Sequence, residues 1–302
     1  MQPGEEGSHD QHVRNGRMIC HQLMTLVERG YNVVITHGNG PQVGTLLIQS
    51  ELMRGQVPTM PLDVLVAQTE GSLGYFLQQS LLNELRHRQV SRYVVTVITQ
   101  VLVDHDDPAF GDPRKPVGPF LSKEEAEERR DRYGWIIREE PGRGWRRVVA
   151  SPRPRKVIQR RMVREAARAG HIVVAAGGGG IPIIKSGDDQ DYVGVEAVID
   201  KDLTSSVLAT DVGADLLIIL TAVDRVYLDY GKPSQMALGA VTMAECKRYI
   251  EGNHFPAGSM GPKVQAIYDF LSRGGSRGLI TNAEMLPAAL DGEAGTHFIG
   301  RI

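Results

Sequence analysis

Apolar positions follow two periods that alternate along the chain. In residues 17–29, Ile19, Leu23, Leu26 and Val27 recur at helical spacing, and Gly30 supplies a C-terminal stop. The run YNVVIT (31–36) has the unbroken apolar character of a buried strand and leads directly into HGNGPQVG (37–44). A second helix is predicted over residues 62–88, followed by one long strand, YVVTVITQVLV (93–103). After Asp104 the pattern changes. The next stretch, at about 104–152, is rich in Pro, Gly and charge but keeps recurring apolar residues, so it reads as an inserted subdomain rather than a linker. Alternation resumes with a helix over 157–169 and the strand HIVVAA (171–176).

The C-terminal half repeats the alternation. A helix over 200–214 precedes the strand DLLIIL (215–220), and TMAE (242–245) has the form of a capping box. A helix over 263–275, the strand RGLIT (277–281) and a last edge strand in THFIG (296–300) complete the pattern. Repeated strand–helix units of this length predict an α/β fold: one domain with an open, mostly parallel sheet between layers of helices, plus the small inserted subdomain.

Composition narrows the class without naming a chemistry. With 302 residues, 41% hydrophobic and 23% charged, the chain has the profile of a globular enzyme. A formal net charge of −2 gives no general pull towards nucleic acid or an anionic membrane. No apolar run approaches the ~18 residues needed to span a bilayer. Two cysteines, Cys20 and Cys246, fall in helix-like segments, read as small buried apolar residues, and fit a reducing cytoplasm.

Candidate chemistry gathers at strand ends. Gly177, Gly178, Gly179 and Gly180 follow the strand HIVVAA, where open α/β sheets bind ligands, and backbone N–H groups free of side chains can cradle phosphate. A flexible turn is the plainer alternative. Neither a P-loop ending nor a dinucleotide fingerprint is present. A second loop, Gly38, Asn39 and Gly40, also follows a strand and offers backbone and amide donors to an anion, whereas His37 reads as a structural hydrogen-bonder. Lys115, Lys201 and Lys263 lie beside turns or acids at strand–helix junctions. Such charges suit phosphoryl transfer, which depends on positioning and charge neutralisation. No Ser/His/Asp order or Cys/His metal spacing supports nucleophilic or zinc chemistry.

Together, HGNGPQVG, DPRKPVGPF (112–120), GRGWRRVVASPRP (142–154), AAGGGGIPI (175–183), GVEAVIDKD (194–202), ILTAVDRVYLDYGKP (219–233) and HFPAGSMGPKVQA (254–266) resemble the carbamate kinases of the amino acid kinase family over essentially the whole chain. The resemblance implies a homodimeric cytoplasmic enzyme of arginine metabolism. It would transfer phosphate between ATP and carbamate with Mg²⁺, often running from carbamoyl phosphate and ADP. It places Gly38 and Asn39 on the carbamoyl phosphate side, with Lys115 reaching over the same site. Asp202 would organise the lysines, while Lys201 and Lys263 neutralise the transferring group. The nucleotide pocket would comprise Thr221, Val223, Asp224, Tyr227 and Lys232, and the glycine run would let phosphate lie against bare backbone. Alternatives are a relative acting on another small acid, such as an N-acetylglutamate kinase, and an impaired nucleotide-binding homologue. The latter arises because carbamate kinases open with a strand ending in Gly-Gly-Asn-Ala, and residues 2–15 resemble the segment just after it; the expectation is a chain without that strand, impaired in stability and activity.

Overall fold

The computed structural model describes residues 5, 7–255 and 260–300. Helix α1 (His9–Glu28) opens the chain with the capping box that Ser8 and Gln11 form, and buries Cys20, Leu23, Met24, Leu26 and Val27. Strand β1 (Val34–Ile35), α2 (Gly40–Leu52), α3 (Leu62–His87), β2 (Val94–Thr96) and β3 (Gln100–Val103) follow. Between β3 and the later strand β7 (Pro154–Val157) lie α4 (Pro108–Gly111), β4 (Lys115–Leu121), α5 (Lys123–Tyr133), β5 (Ile137–Glu140) and β6 (Gly144–Val149). The chain continues through α6 (Arg160–Arg168), β8 (Ile172–Val174), β9 (Ile181–Ser186), β10 (Asp191–Gly194), α7 (Lys201–Val212) and β11 (Leu216–Leu220). The last part holds β12 (Val226–Leu228), β13 (Met236–Leu238), β14 (Ala240–Thr242), α8 (Met243–Glu251), α9 (Met260–Ser272), β15 (Arg277–Thr281), α10 (Leu286–Leu290) and β16 (Thr296–Ile299).

The central strands pair in parallel, with β8 between β1 and β2, while antiparallel pairs occur at both margins of the β10-β9-β3-β7 sheet, between β15 and β16, and within the insertion. Alternate residues of β8 explain its unbroken apolar character. Ile172 and Val174 pack with α1 and α3 in one cluster, whereas Val173 packs with Val163 and Ala167 of α6 and with Val207 and Leu208 of α7. A parallel strand with helices on both faces has no polar side. A second sheet, in the order β11-β15-β16-β14, shares a cluster with α8 and α9. The segment between β3 and β7 forms the sheet β4-β6-β5 with its own cluster of Leu121, Ala126 and Trp135.

Four predicted elements need correction. The strand over 31–36 shortens to β1, and the strand in 296–300 is β16, an interior strand between β15 and β14 rather than an edge. The strand over 93–103 is two strands in different sheets, because Thr99 breaks it: its N–H donates to the Glu70 side chain at 2.8 Å and its O–H to Val97 O at 2.7 Å. β2 therefore stays beside β8 and β3 turns away to pair with β9 and β7. The helix predicted over 157–169 gives its first residue to β7 and starts at Arg160. Helix α2, the β9–β10 hairpin and the β12–β13 pair carry no strong periodicity and appear only in the structure. Cys20 and Cys246 are buried and unpaired, and burial pushes both thiols up to about 12. No helix among the described residues is long and apolar enough to cross a membrane.

Phe270 of α9 is 1% exposed at the centre of the C-terminal cluster. Phe270→Ala is expected to cost about 3–5 kcal/mol by transfer and cavity terms, read as a lower urea midpoint with an unchanged slope.

Candidate active site

The start of α7 gathers charge because Asp200 caps it. One carboxylate oxygen accepts the N–H groups of Asp202 at 2.9 Å and Leu203 at 3.4 Å. The other accepts Lys115 Nζ at 3.0 Å, which ties the first residue of β4, at the root of the insertion, to the helix. Two positions later, in the same turn, Asp202 accepts from two lysines. Lys201 Nζ lies 3.0 and 3.1 Å from its oxygens, and Lys263 Nζ, brought in by α9, lies 2.8 Å from Oδ2. The structure thus brings Lys115, Lys201, Asp202 and Lys263 together and adds Asp200. Three ammonium groups face two carboxylates, so the cluster keeps one uncompensated positive charge.

Competition for Asp202 sets the lysines apart. Burial pulls Lys201 down, but the Asp202 charge and hydrogen bond outweigh it and hold the ammonium above its ordinary range. Lys263 is deeper, its side chain 14% exposed against 40% for Lys201. Burial, with the repulsion of Lys201, holds Lys263 below the usual lysine range despite Asp202. Burial also works against ionised Asp200, but the Lys115 ammonium keeps that carboxyl below its ordinary value.

The glycine run has a different role from the one its sequence suggests. All four glycines are buried and all four N–H groups donate within the protein. Gly177 donates to the Glu70 carboxyl, Gly178 to His37 O at 2.7 Å, Gly179 to Ala176 O at 3.2 Å and Gly180 to Gly177 O at 3.0 Å. The bodies that exclude a Cβ are also the protein's own: His37, the Asn39 carboxamide, Ile199 O and Val101, in that order. Gly178, Gly179 and Gly180 have φ of +66°, +98° and +82°, a region disfavoured for residues with a Cβ. The expected amide cradle for phosphate is therefore corrected to a packing joint. It seats the loop after β1 on one side and α7 on the other, where Thr204 Oγ1 donates to Gly179 O at 2.9 Å.

The loop after β1 keeps its backbone available. Gly38 and Gly40 are exposed at the start of α2, where the first N–H groups of a helix have no intrahelical acceptor. A Cβ on Gly38 would stand 3.2 Å from Lys201 Cδ, so this loop lies against the lysine cluster. Asn39 is 4% exposed and its amide donates to Thr69 Oγ1 at 2.8 Å, so that N–H is spent internally rather than on an anion. His37 is neutral: burial lowers its pKa, and its Nδ1 lies 3.0 Å from Gly38 O.

Thr221, Val223, Asp224 and Tyr227 lie on the segment that leaves β11, with Thr221 N–H donating to Thr281 O at 2.9 Å and Tyr227 O–H to Asp224 at 2.8 Å. Lys232 is exposed and pairs with Asp229 at 3.1 Å, apart from the α7 cluster. Residues 256–259, inside the stretch HFPAGSMGPK, lie outside the described residues. A cavity of about 550 Å³ opens elsewhere, between the insertion and α2–α3, lined by Leu62, Tyr133, Trp135, Arg147 and Glu196. None of the three clustered lysines lines it, and the charge cluster is the better candidate for chemistry. Among the described residues no group of three or more His, Cys, Asp or Glu is placed to hold a metal ion. Sequence reasoning missed Glu70 and Asp200 as partners. Asp200 was legible as an N-cap, whereas nothing in QTEGSLGY marks Glu70 as buried.

Asp202→Ala strips both lysines of their shared counter-charge. The expected loss is about 3 kcal/mol at neutral pH, the low end for removing one partner of a buried pair, because Lys201 is partly solvated. Bases whose folded pKa falls below the unfolded one destabilise while protonated in the unfolded chain, so the deficit should fade as pH rises towards the unfolded lysine value of about 10.4. Urea midpoints of both proteins across that range measure it; a deficit that grows with pH contradicts the assignment.

The amino acid kinase family model matches residues 13–282. The carbamate kinase of Pyrococcus horikoshii is 45% identical over 298 residues, covering 98% of this chain and 94% of its own. The carbamate kinase-like protein YahI of Escherichia coli is 44% identical over 286 residues, covering 94% and 90%. The structure of carbamate kinase from Giardia lamblia bound to AMP-PNP superposes with a TM-score of 0.93 at 37% identity, over 100% of this chain and 95% of that one. Matches of this extent, together with the parallel α/β core, establish that the chain belongs to the amino acid kinase family.

Proposed function

We propose that this protein is a carbamate kinase, a phosphotransferase that moves a phosphoryl group reversibly between ATP and carbamate. The observation that carries the reading is the Asp202 carboxylate shared by Lys201 and Lys263, with Lys115 joined to it through Asp200. In the direction of ATP formation, the bond from phosphorus to the carbamoyl oxygen breaks. A bond to a terminal β-phosphate oxygen of ADP forms, and carbamate leaves. No proton needs to move. Charge builds on the equatorial oxygens and the leaving oxygen, and fixed ammonium groups stabilise it without reorganising.

Roles follow from position. Lys263, buried and held by Asp202, would meet the transferring phosphoryl group, and an anion there would restore the proton affinity that burial removes. Lys201 would share that work beside Gly38 and Gly40, whose exposed backbone offers donors to the carbamoyl phosphate end. Lys115, rooted in the insertion, would act on the same end. Thr221, Val223, Asp224, Tyr227 and Lys232 would line the nucleotide side. Asp202 orients the lysines and is no general base, since lysines occupy both its oxygens. Mg²⁺ fits as an ion carried on the nucleotide phosphates, where it neutralises their charge and needs a protein carboxylate or two at most. The reading extends to a homodimer working in the cytoplasm in arginine metabolism. The unpaired buried cysteines support the compartment, and exposed Leu52, Met53, Val57 and Met60 at the end of α2 and before α3 support the dimer; the pathway follows from the resemblance alone.

The similarity to a carbamate kinase-like protein motivates a second reading, a kinase of another small acid. The deciding experiment is ATP formation from MgADP with carbamoyl phosphate and, in parallel, with other acyl phosphates. Turnover confined to another acyl phosphate moves the assignment to the second reading. Lys263→Ala should lower kcat by about a hundredfold or more and leave KM for MgADP little changed, because its charge acts mainly in the transition state. A near-normal kcat with a raised nucleotide KM would refute that role. Lys115→Ala should raise KM for carbamoyl phosphate by about tenfold, the equivalent of one charge-assisted hydrogen bond. A defect confined to MgADP would refute the assignment of Lys115 to the carbamoyl side.

A further inference from the structure

We propose that Glu70 is the positioning residue of this site: from inside α3 its carboxyl clamps the N–H groups of Thr99 and Gly177 and thereby fixes the glycine joint on which the β1 loop and α7 rest. The inference rests on the functional reading above for its kinetic consequences and on geometry alone for the clamp.

Glu70 is 1% exposed, and its Oε2 accepts Thr99 N–H at 2.8 Å while the carboxyl also accepts Gly177 N–H. An ionisable side chain is almost never fully buried without a partner of opposite charge. Here the partners are two backbone amides, from segments far apart in the chain. Thr99 is itself a junction: its Oγ1 accepts Ala176 N–H at 3.0 Å and its carbonyl accepts Ile181 N–H at 2.8 Å. Glu70 and Thr99 therefore hold the glycine run at both ends. The run then places His37 through Gly178 N–H, packs Asn39, and accepts Thr204 of α7. The same loop also meets α7 directly, with Thr36 Oγ1 2.7 Å from Ser205 Oγ and Gly38 against Lys201, so the joint braces a contact that α7 already makes.

The clamp also has a charge state. Burial pushes Glu70 up to about 8, so the neutral carboxyl prevails below that pH. Oε1 has no partner among the described residues, a placement less costly for a neutral acid than for an anion. Of the groups that face Glu70, the titratable one is His37 from the β1 loop, which burial keeps uncharged. Asn39, Thr69, Thr99 and the glycines, which face the joint from the other segments, carry no charge. As pH rises through about 8 an uncompensated negative charge appears beneath an anion site, and affinity for an acyl phosphate should fall.

The test compares wild type, Glu70→Gln and Glu70→Ala from about pH 6 to about pH 9.5. It measures KM and kcat for carbamoyl phosphate and for MgADP. It also measures amide hydrogen exchange over residues 97–101 and 175–181. Glu70→Gln keeps an acceptor and loses the charge change. Its kinetics at neutral pH should stay within about twofold of wild type, and the rise in KM for carbamoyl phosphate above pH 8 should vanish. Glu70→Ala should lose about tenfold or more in kcat/KM for carbamoyl phosphate, exchange faster in both segments, and keep its KM for MgADP. An unchanged alkaline limb in Glu70→Gln, or wild-type exchange in Glu70→Ala, overturns the proposal. If Glu70→Ala does not fold, the Glu70→Gln pH profile decides. If wild type turns over no carbamoyl phosphate, the functional reading fails while the exchange arm still decides the clamp.

Discussion

One carboxylate answering two ammonium groups is the constraint around which this molecule is arranged. Asp202 holds Lys201 from its own helix and Lys263 from a helix about 60 positions later. For both lysines to reach it, α9 must pack on α7, and the C-terminal cluster of Leu217, Ile219, Val264, Ile267 and Phe270 fixes that packing. The cap on α7 then aligns the same turn with the insertion, since Asp200 accepts two backbone N–H groups and Lys115 at once. A helix start, a distant helix and an inserted sheet are registered by two carboxylates. Neither acid sits free to act as a base.

The four glycines look like a ligand cradle because strand ends in open α/β sheets usually serve that purpose. Their N–H groups are used internally, and the volume a Cβ would need is filled by His37, Asn39, Ile199 and Val101. The close approach they permit is between two parts of the protein. This matters for chemistry all the same, because the parts are the exposed Gly38–Gly40 loop and the helix carrying the lysines. Dense packing without side-chain freedom makes a stiff joint, and stiffness serves a reaction whose catalysis is mostly placement.

Much of this was legible in the sequence. Strand–helix alternation marked the α/β core because β8 and its neighbours are apolar on both faces, and the change in character after Asp104 coincided with the β4-β6-β5 sheet. The lysines stood out through the Gly/Pro turns or acids beside them. What stayed hidden depends on pairings at long range. The break at Thr99 comes from a glutamate 29 positions earlier, and no local pattern of β-branched residues reports it. The role of Gly177–Gly180 was misassigned for the same reason: a sequence shows that side chains are absent, not what fills the space. YNVVIT is equally instructive, since six residues of strand character yield only the two-residue β1.

The charge cluster itself favours an anion over the empty state. In this half-buried setting Lys263 is held below its ordinary proton affinity, chiefly because burial strips the ammonium of water and with the Lys201 repulsion adding to it, despite Asp202. A phosphate group would restore the ammonium, which is what the role proposed for this cluster requires. Asp200 and Asp202 together limit the imbalance to one charge: without Asp202 the two lysines it holds would face each other uncompensated, and with a third carboxylate the cluster would lose its pull on phosphate. The number of acids at this helix start therefore answers two opposed demands, stability without ligand and attraction for a dianion, and two carboxylates against three ammonium groups satisfy both.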